Sequence, residues 1–302
     1  MKIKELLLKG KQQLQKISPS PDLDAEILLS SILRKDREFL FSYPDFEISS
    51  SKIERFNNLI DRRSQQEPVA YLTKEKSFYG RSFEVNSKTL IPRPETESLI
   101  EKTLEYCHKE FYPSQDITLI DVGTGSGCIL ITLLKELQRK RFRDSNIRAF
   151  GTDISSSALK IAEKNREKII SETKIDFLKA DLLEFLDKRY LEYLKNTQLV
   201  ITANLPYLSQ NIYEKCSKSV LDFEPKKALI AKTEGLGFYL ELLKQIQEKK
   251  LPNLVQNLYL IFEISPEQED FAKKEFKKII PEAKIKFSKD LAQKWRFIEI
   301  LF

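Results

Sequence analysis

The residues best suited to chemistry lie in two short segments, one rich in glycine and one built around an asparagine and a proline. Leu119-Ile-Asp-Val-Gly-Thr-Gly-Ser-Gly-Cys-Ile129 sets Gly123, Thr124, Gly125, Ser126 and Gly127 between an apolar run and a helical pattern. Glycines at such a strand-to-helix turn let the backbone bend sharply and approach a ligand that a Cβ would exclude. The spacing is Gly-x-Gly-x-Gly rather than the Gly-x-Gly-x-x-Gly of the pyrophosphate cradle, which favours a ligand without a pyrophosphate. Asp153 ends the next apolar run, where a carboxylate meets ribose hydroxyls in nucleotide-binding βαβ units. The same position also suits capping of the following helix. Asp181-Leu182 follows a third run and could close over an adenine ring, although Asp181 equally suits a helix cap.

The second segment is Ala203-Asn204-Leu205-Pro206-Tyr207-Leu208, after a fourth apolar run. An asparagine side chain carries both an acceptor and a donor, so Asn204 can fix the plane of an amide or an exocyclic amine. Pro206 stiffens the loop and aims the carbonyl before it, that of Leu205, at the same nitrogen, while Tyr207 can pack on a flat group. The lone pair of such a nitrogen is delocalised and poorly nucleophilic. Holding it in line with a methyl sulfonium carbon, with its hydrogens on acceptors, encourages the pyramidal geometry of attack. No strong base is needed first, because the nitrogen becomes acidic once methylated. On this local chemistry, amide and adenine stay equally open.

These segments need a scaffold, and the hydrophobic spacing supplies one. Strands are expected at Thr118–Val122, Arg148–Asp153, Ile175–Leu178, Leu199–Ala203, Leu258–Glu263, Lys284–Phe287 and Arg296–Leu301, with helices at Ile129–Leu137 and Ser155–Ile170. Strand and helix alternation predicts a parallel α/β sheet with right-handed crossovers. The last two strands are too close for a helical crossover and should pair antiparallel. Such an ending distinguishes a methyltransferase sheet from an ordinary dinucleotide-binding one. Before it, Leu6-Leu7-Leu8 with Leu14, Ala25 to Leu33, and Phe56 with Leu59-Ile60 have helical spacing. Residues 1–74 are therefore expected to form a small helical domain. Residues 75–92 read as a β-hairpin connector, with Phe78–Val85 and Lys88–Ile91 flanking Asn86-Ser87, and residues 93–302 as the Rossmann-like, seven-stranded catalytic domain.

Composition narrows the function. With 41% hydrophobic and 32% charged residues, the chain can bury a real core and is not expected to be disordered. Apolar runs are broken by charge before they could span a bilayer, and no signal-peptide pattern opens the chain, so a cytoplasmic location without membrane contact is expected. Three scattered cysteines, Cys107, Cys128 and Cys216, signal neither a disulfide framework nor a zinc site, and no metal is expected. The single histidine, His108, lacks a triad context, which sets histidine-based catalysis aside. The net charge of +6 comes from lysines interleaved with glutamates, a solvated surface that allows a nucleic-acid contact without requiring one, with Arg139-Lys140-Arg141-Phe142-Arg143 as the candidate contact run.

With these residues in place, the chain resembles the peptide chain release factor N5-glutamine methyltransferases, the PrmC/HemK family. The likeness spans most of the chain: Glu67-Pro-Val-Ala-Tyr-Leu-Thr73, Phe78-Tyr-Gly80, Leu90-Ile-Pro-Arg-Pro-Glu-Thr-Glu97, Asp222-Phe-Glu-Pro225, Lys289-Asp-Leu-Ala292 and Arg296-Phe-Ile-Glu299. The Ile-Pro-Arg-Pro-Glu-Thr-Glu run discriminates most, because general methyltransferases do not share it. The resemblance implies a helical domain that docks a release factor and a catalytic domain that methylates the glutamine of its Gly-Gly-Gln motif, a modification that supports translation termination. S-adenosylmethionine would be the donor and S-adenosylhomocysteine the product. By position, Gly123 to Gly127, Asp153, Asp181, Leu182 and Asn204 would contact the donor, and Asn204 to Tyr207 would hold the glutamine amide. The family usually has Asn-Pro-Pro-Tyr where this chain has Leu205, a form closer to that of rRNA adenine dimethyltransferases. An adenine N6-methyltransferase acting on RNA or DNA is accordingly the alternative.

Overall fold

The computed structural model describes residues 1–139 and 141–302. Two compact units are present, residues 1–75 with 216–224, and residues 76–215 with 225–302. In the first, α1 (Ile3–Leu14), α2 (Pro21–Leu33), α3 (Arg37–Ser42), α4 (Ser50–Ser64) and α5 (Val69–Thr73) follow one another. The apolar spacing becomes one core, in which Ile3, Leu6 and Leu14 meet Leu28, Leu29 and Ile32 and, from α4, Phe56 and Ile60. Pro21 starts α2 with a preset φ, and Asp36 caps α3 by accepting the Phe39 N–H. Asp24 is buried in this unit but answered twice, by the Ser18 hydroxyl at 2.6 Å and by Arg63 Nε at 2.7 Å.

The hairpin differs from expectation. Its strands are β1 (Glu75–Phe78) and β2 (Arg81–Glu84), and its turn is Tyr79-Gly80, with φ of 50° and 69°. Two consecutive left-handed residues match the right-handed twist of the flanking strands. Asn86 instead forms a separate turn, its Oδ1 accepting the Lys88 N–H, and Lys88–Ile91 is not a strand. Asn165 anchors the hairpin: its Oδ1 accepts the Glu84 N–H at 2.6 Å, and its Nδ2 donates to the carbonyls of Glu84 and Ser126.

The second unit continues with α6 (Glu97–Glu110), β3 (Ile117–Val122), α7 (Cys128–Arg139), β4 (Ile147–Asp153), α8 (Ser156–Ile170), β5 (Asp176–Lys179), α9 (Lys188–Leu194), β6 (Gln198–Ala203) and α10 (Gln210–Tyr213). After α11 (Lys218–Phe223), which belongs with the first unit, come α12 (Gly237–Glu248), α13 (Leu251–Leu254), β7 (Asn257–Glu263), α14 (Glu269–Ile279), β8 (Lys284–Lys289) and β9 (Trp295–Leu301). The sheet has seven strands in the order β5-β4-β3-β6-β7-β9-β8. All neighbours are parallel except β7 with β9 and β9 with β8, the antiparallel ending expected from the short final connection. Strands β3 and β6 are buried along their whole length. Alternate residues serve two cores: Leu119, Val200 and Ile261 pack with Ile100 of α6 and Leu134 of α7, while Ile120, Ile201 and Leu260 pack with Leu243 of α12 and Phe276 of α14.

The chain reverses its direction across the sheet between β3 and β6, the switch point where open α/β sheets bind ligands. There Thr152, Val122, Ala203 and Phe262 lie side by side in one row across four strands. The residue following each is Asp153, Gly123, Asn204 and Glu263 respectively.

Candidate active site

A cavity of about 500 Å³ opens at this edge, a size usual for small-molecule sites. Thr124, Gly125 and Ser126 line one side of it, beside Gly123. Gly123 needs its φ of +73°, and a Cβ there would also press within 2.8 Å of the Leu205 side chain. Gly127 is not on the wall; it precedes α7, and its carbonyl accepts the Ile131 N–H. Asp153 lines the cavity, Oδ2 accepting the Gly125 N–H at 3.0 Å and Oδ1 the Ser155 N–H at 2.8 Å. It does not cap α8, because Ser155 does, through Ala158. Burial pushes the Asp153 carboxyl above the usual range, opposed by those two backbone donors.

Leu182 is buried on the wall with φ of +50°, its carbonyl accepting the Thr152 hydroxyl. Asp181 also lines the cavity and is exposed, and the cap of α9 is Asp187. Ile154, not expected from the sequence, is an apolar wall residue left 54% exposed. Its signal was its place directly after the carboxylate that ends β4.

The asparagine loop forms the opposite side, with Asn204, Leu205 and Pro206 on the wall. Both donor hydrogens of Asn204 are engaged: Nδ2 donates to Glu263 Oε2 at 3.0 Å and to Thr96 Oγ1 at 3.2 Å. The Thr96 hydroxyl donates in turn to Glu263 Oε2 at 2.7 Å. What remains is Asn204 Oδ1, buried and without a hydrogen-bond partner. Leaving a buried acceptor unmade costs about 1–3 kcal/mol, so the loop holds an acceptor in reserve and offers no donor from this side chain. Tyr207 is not on the wall. Its hydroxyl donates to Glu263 Oε1 at 3.1 Å, and its carbonyl accepts from Gln268 Nε2 at 2.6 Å. Glu263 is 1% exposed; burial pushes its carboxyl up, while Thr96, Tyr207 and the Arg296 charge draw it back.

Leu205 adds a contact that a proline there could not make. Its N–H donates to the Tyr239 hydroxyl at 3.1 Å, and that hydroxyl donates to the Glu263 carbonyl. Thr96 lies in the Ile-Pro-Arg-Pro-Glu-Thr-Glu run, but its partnership with Glu263, 167 residues away, has no local signal. Glu263 itself was findable as a carboxylate ending an apolar strand, the same signal that marked Asp153.

Other sequence features lie apart. The His108 ring stacks on Phe142, and Cys128, although on the cavity wall, is an unreactive thiol pushed up to about 12 by burial. Of the basic run, Arg139 pairs with Glu136 and Arg141 donates to the His108 carbonyl, while Lys140 lies outside the described residues. Among the described residues no cluster of three or more metal-ligating side chains is found, and no helix is long and apolar enough to cross a membrane.

Residues 5–73 match the PrmC N-terminal domain family. The release factor glutamine methyltransferase of Koribacter versatilis is 37% identical over 236 residues, covering 78% of this chain and 77% of that protein. The chain belongs to the release factor glutamine methyltransferase family. The Bacillus cereus protein of that name is 31% identical over 90% of both chains. A bifunctional methyltransferase of Rickettsia typhi is 33% identical, and the match covers 83% of this chain but 49% of that longer protein. Among solved structures, the hMettl16 catalytic domain in complex with MAT2A 3'UTR hairpin 6 superposes with a TM-score of 0.50 at 16% identity, over 87% of this chain and 91% of that one. At that identity the likeness concerns the fold alone.

Proposed function

We propose that the protein transfers a methyl group from S-adenosylmethionine to the side-chain amide nitrogen of the glutamine in the Gly-Gly-Gln motif of peptide chain release factors, and that the helical unit of residues 1–75 docks that substrate. The observation carrying the reading is the polarity of Asn204, a cavity-lining residue whose N–H groups are engaged and whose Oδ1 is buried and unpartnered. A primary amide brings two N–H groups, the complement of that acceptor.

The cavity suits the donor on its own features: an apolar side chain, Ile154, left exposed on the wall, a carboxylate at the end of β4, and a volume of nucleoside scale. When bound, the donor supplies an electrophilic methyl carbon on a positively charged sulfur. Asp153 keeps lone pairs beyond those given to Gly125 and Ser155 and would accept from ribose hydroxyls. Ile154 and Leu182 would flank the base, and the Gly123 to Ser126 backbone would border the donor's amino-acid end. Asn204 Oδ1 and the Leu205 carbonyl would accept the two amide hydrogens, fixing the plane of the nitrogen and raising its electron density. Transfer would form the N–C bond as the methyl–sulfur bond breaks to leave S-adenosylhomocysteine, and the cationic nitrogen, made acidic by methylation, would shed its proton to solvent, so no histidine or lysine base is required.

Purified protein with isotopically labelled donor and a release factor should label the Gly-Gly-Gln glutamine, read by peptide mass spectrometry. Asn204→Ala should abolish labelling while donor binding persists in calorimetry. Label found in rRNA and absent from the release factor would overturn the reading in favour of adenine.

A further inference from the structure

We infer that Glu263 is the positioning residue that sets the polarity of the Asn204 amide, and so makes the site selective for a nucleophile that brings N–H groups. The inference rests on the amide-methylating role proposed for Asn204 and adds what decides that role. An asparagine amide turned by 180° exchanges Oδ1 and Nδ2 at little steric cost, so its orientation is fixed only by its partners. Here the partners are polarised in one sense. Three donors, Thr96 Oγ1, Asn204 Nδ2 and Tyr207 Oη, converge on the Glu263 carboxylate at 2.7, 3.0 and 3.1 Å. A carboxylate is an acceptor at both oxygens, and Thr96 Oγ1, having spent its only hydrogen on Glu263, is an acceptor toward Asn204. Turning the Asn204 amide would bring Oδ1 against Glu263 Oε2 and leave Nδ2 facing the ligand.

Thr96 and Glu263 are buried, 2% and 1% exposed, so an orientation of Asn204 that leaves their contacts unmade is costly. Glu263 is held from behind by its own carbonyl, which accepts the Tyr239 hydroxyl, and its charge is offset by Arg296. The carboxylate does not line the cavity. It acts through Asn204.

The test is an exchange of polarity. In Asn204→Asp alone, two carboxylates would face each other across the 3.0 Å contact, and methyl transfer to the release factor should fall at least ~100-fold, the scale of losing one preorganised contact to the reacting group. Glu263→Gln alone leaves three donors with a single acceptor oxygen and should lower kcat more than KM. Combined, Asn204→Asp with Glu263→Gln restores complementarity. The new amide nitrogen at position 263 donates to the new carboxylate at position 204, the amide oxygen at 263 accepts from Tyr207, and the second carboxylate oxygen at 204 remains the acceptor for the substrate. The double variant should regain at least ~10-fold over Asn204→Asp, and the melting temperature lost in Asn204→Asp should return with it. A role of Glu263 in filling space alone predicts additive losses, and additivity in both readouts would overturn the inference. Because the melting cycle needs no substrate, it decides the point even if the wild-type protein leaves the release factor unlabelled, a result that would count against the proposed function only.

Discussion

Replacing Tyr239 by phenylalanine should expose how this chain keeps its asparagine loop rigid without the usual proline at position 205. Tyr239 is fully buried, and its ring stacks on Phe262 at 4.9 Å, a contact that phenylalanine preserves. Only the hydroxyl is lost, and with it its two closest partners, the Leu205 N–H at 3.1 Å and the Glu263 carbonyl, besides a longer contact to the Ala203 carbonyl at 3.5 Å. Each buried group left unpaired costs about 1–3 kcal/mol, giving about 2–6 kcal/mol for the two. If half is felt as loss of loop geometry in the transition state, kcat falls ~5- to 140-fold, since about 1.4 kcal/mol is a factor of ten. The decisive variant is Leu205→Pro in the Tyr239→Phe background. Proline brings no N–H, so one orphan disappears, and its fixed φ stiffens the loop covalently. At least ~5-fold of kcat should return. In the wild-type background the same substitution should do harm, because it deprives Tyr239 of its donor and removes the side chain that abuts Gly123. Steady-state kinetics with a release factor, with donor affinity followed by calorimetry as a control, makes the comparison. An unchanged kcat in Tyr239→Phe, or equal harm from Leu205→Pro in both backgrounds, would refute the reasoning.

Three further outcomes follow from the site. Asp153→Ala should weaken donor binding ~10- to 100-fold in calorimetry, the scale of hydrogen bonds to a charged group, and an unchanged Kd would remove Asp153 from the donor site. Asp121, fully buried beneath the glycine loop with Thr202 at 2.7 Å, has its carboxyl pushed up to about 7 by burial, against 3.8 when free. A raised folded-state value stabilises the protein fully below pH ~4 and less as pH climbs through ~7, a loss of about 4 kcal/mol. Asp121→Asn should therefore gain on the wild type from pH ~4 to pH ~8 in urea unfolding, and a difference independent of pH would count against it. Gly235 has φ of +85°, and a Cβ there would stand 2.0 Å from the Tyr207 carbonyl oxygen and 2.2 Å from Gln268 Nε2. Gly235→Ala should cost more than ~3 kcal/mol by displacing that loop, and a melting temperature within ~2 °C of wild type would refute the fit.

What could be read from sequence was what is local. The continuous apolar runs of β3 and β6 declare buried strands, and the three alternating glycines declare the turn after β3, because each signal is complete within a short stretch of chain. The hairpin turn was misplaced because Asn86-Ser87 has turn-forming composition, whereas Tyr79-Gly80 wins by matching strand twist. Asn204 could be singled out, but not which half of its amide it would present. That depends on Thr96 and Glu263, 108 and 59 residues away, brought together by the sheet. Likewise nothing near Leu205 in the sequence shows that the N–H which leucine keeps, and proline would lack, is taken up by the Tyr239 hydroxyl.

The row Thr152-Val122-Ala203-Phe262 divides the labour of the site between two strand pairs. The ends of β4 and β3 border the side proposed for the donor, and the ends of β6 and β7 carry Asn204 and its carboxylate anchor. Such a layout keeps Asn204 and Glu263 apart from Asp153, and the two sides meet through Leu205, whose side chain abuts Gly123. It also rations where length can change. A one-residue slip of β6 against β3 would carry Asn204 ~3.3 Å along the strand and turn its side chain to the other face. An insertion between β6 and Tyr207 would therefore break the Gln268 hydrogen bond that fixes the Tyr207 carbonyl. The chemistry of this protein is indexed by residue count from the centre of its sheet.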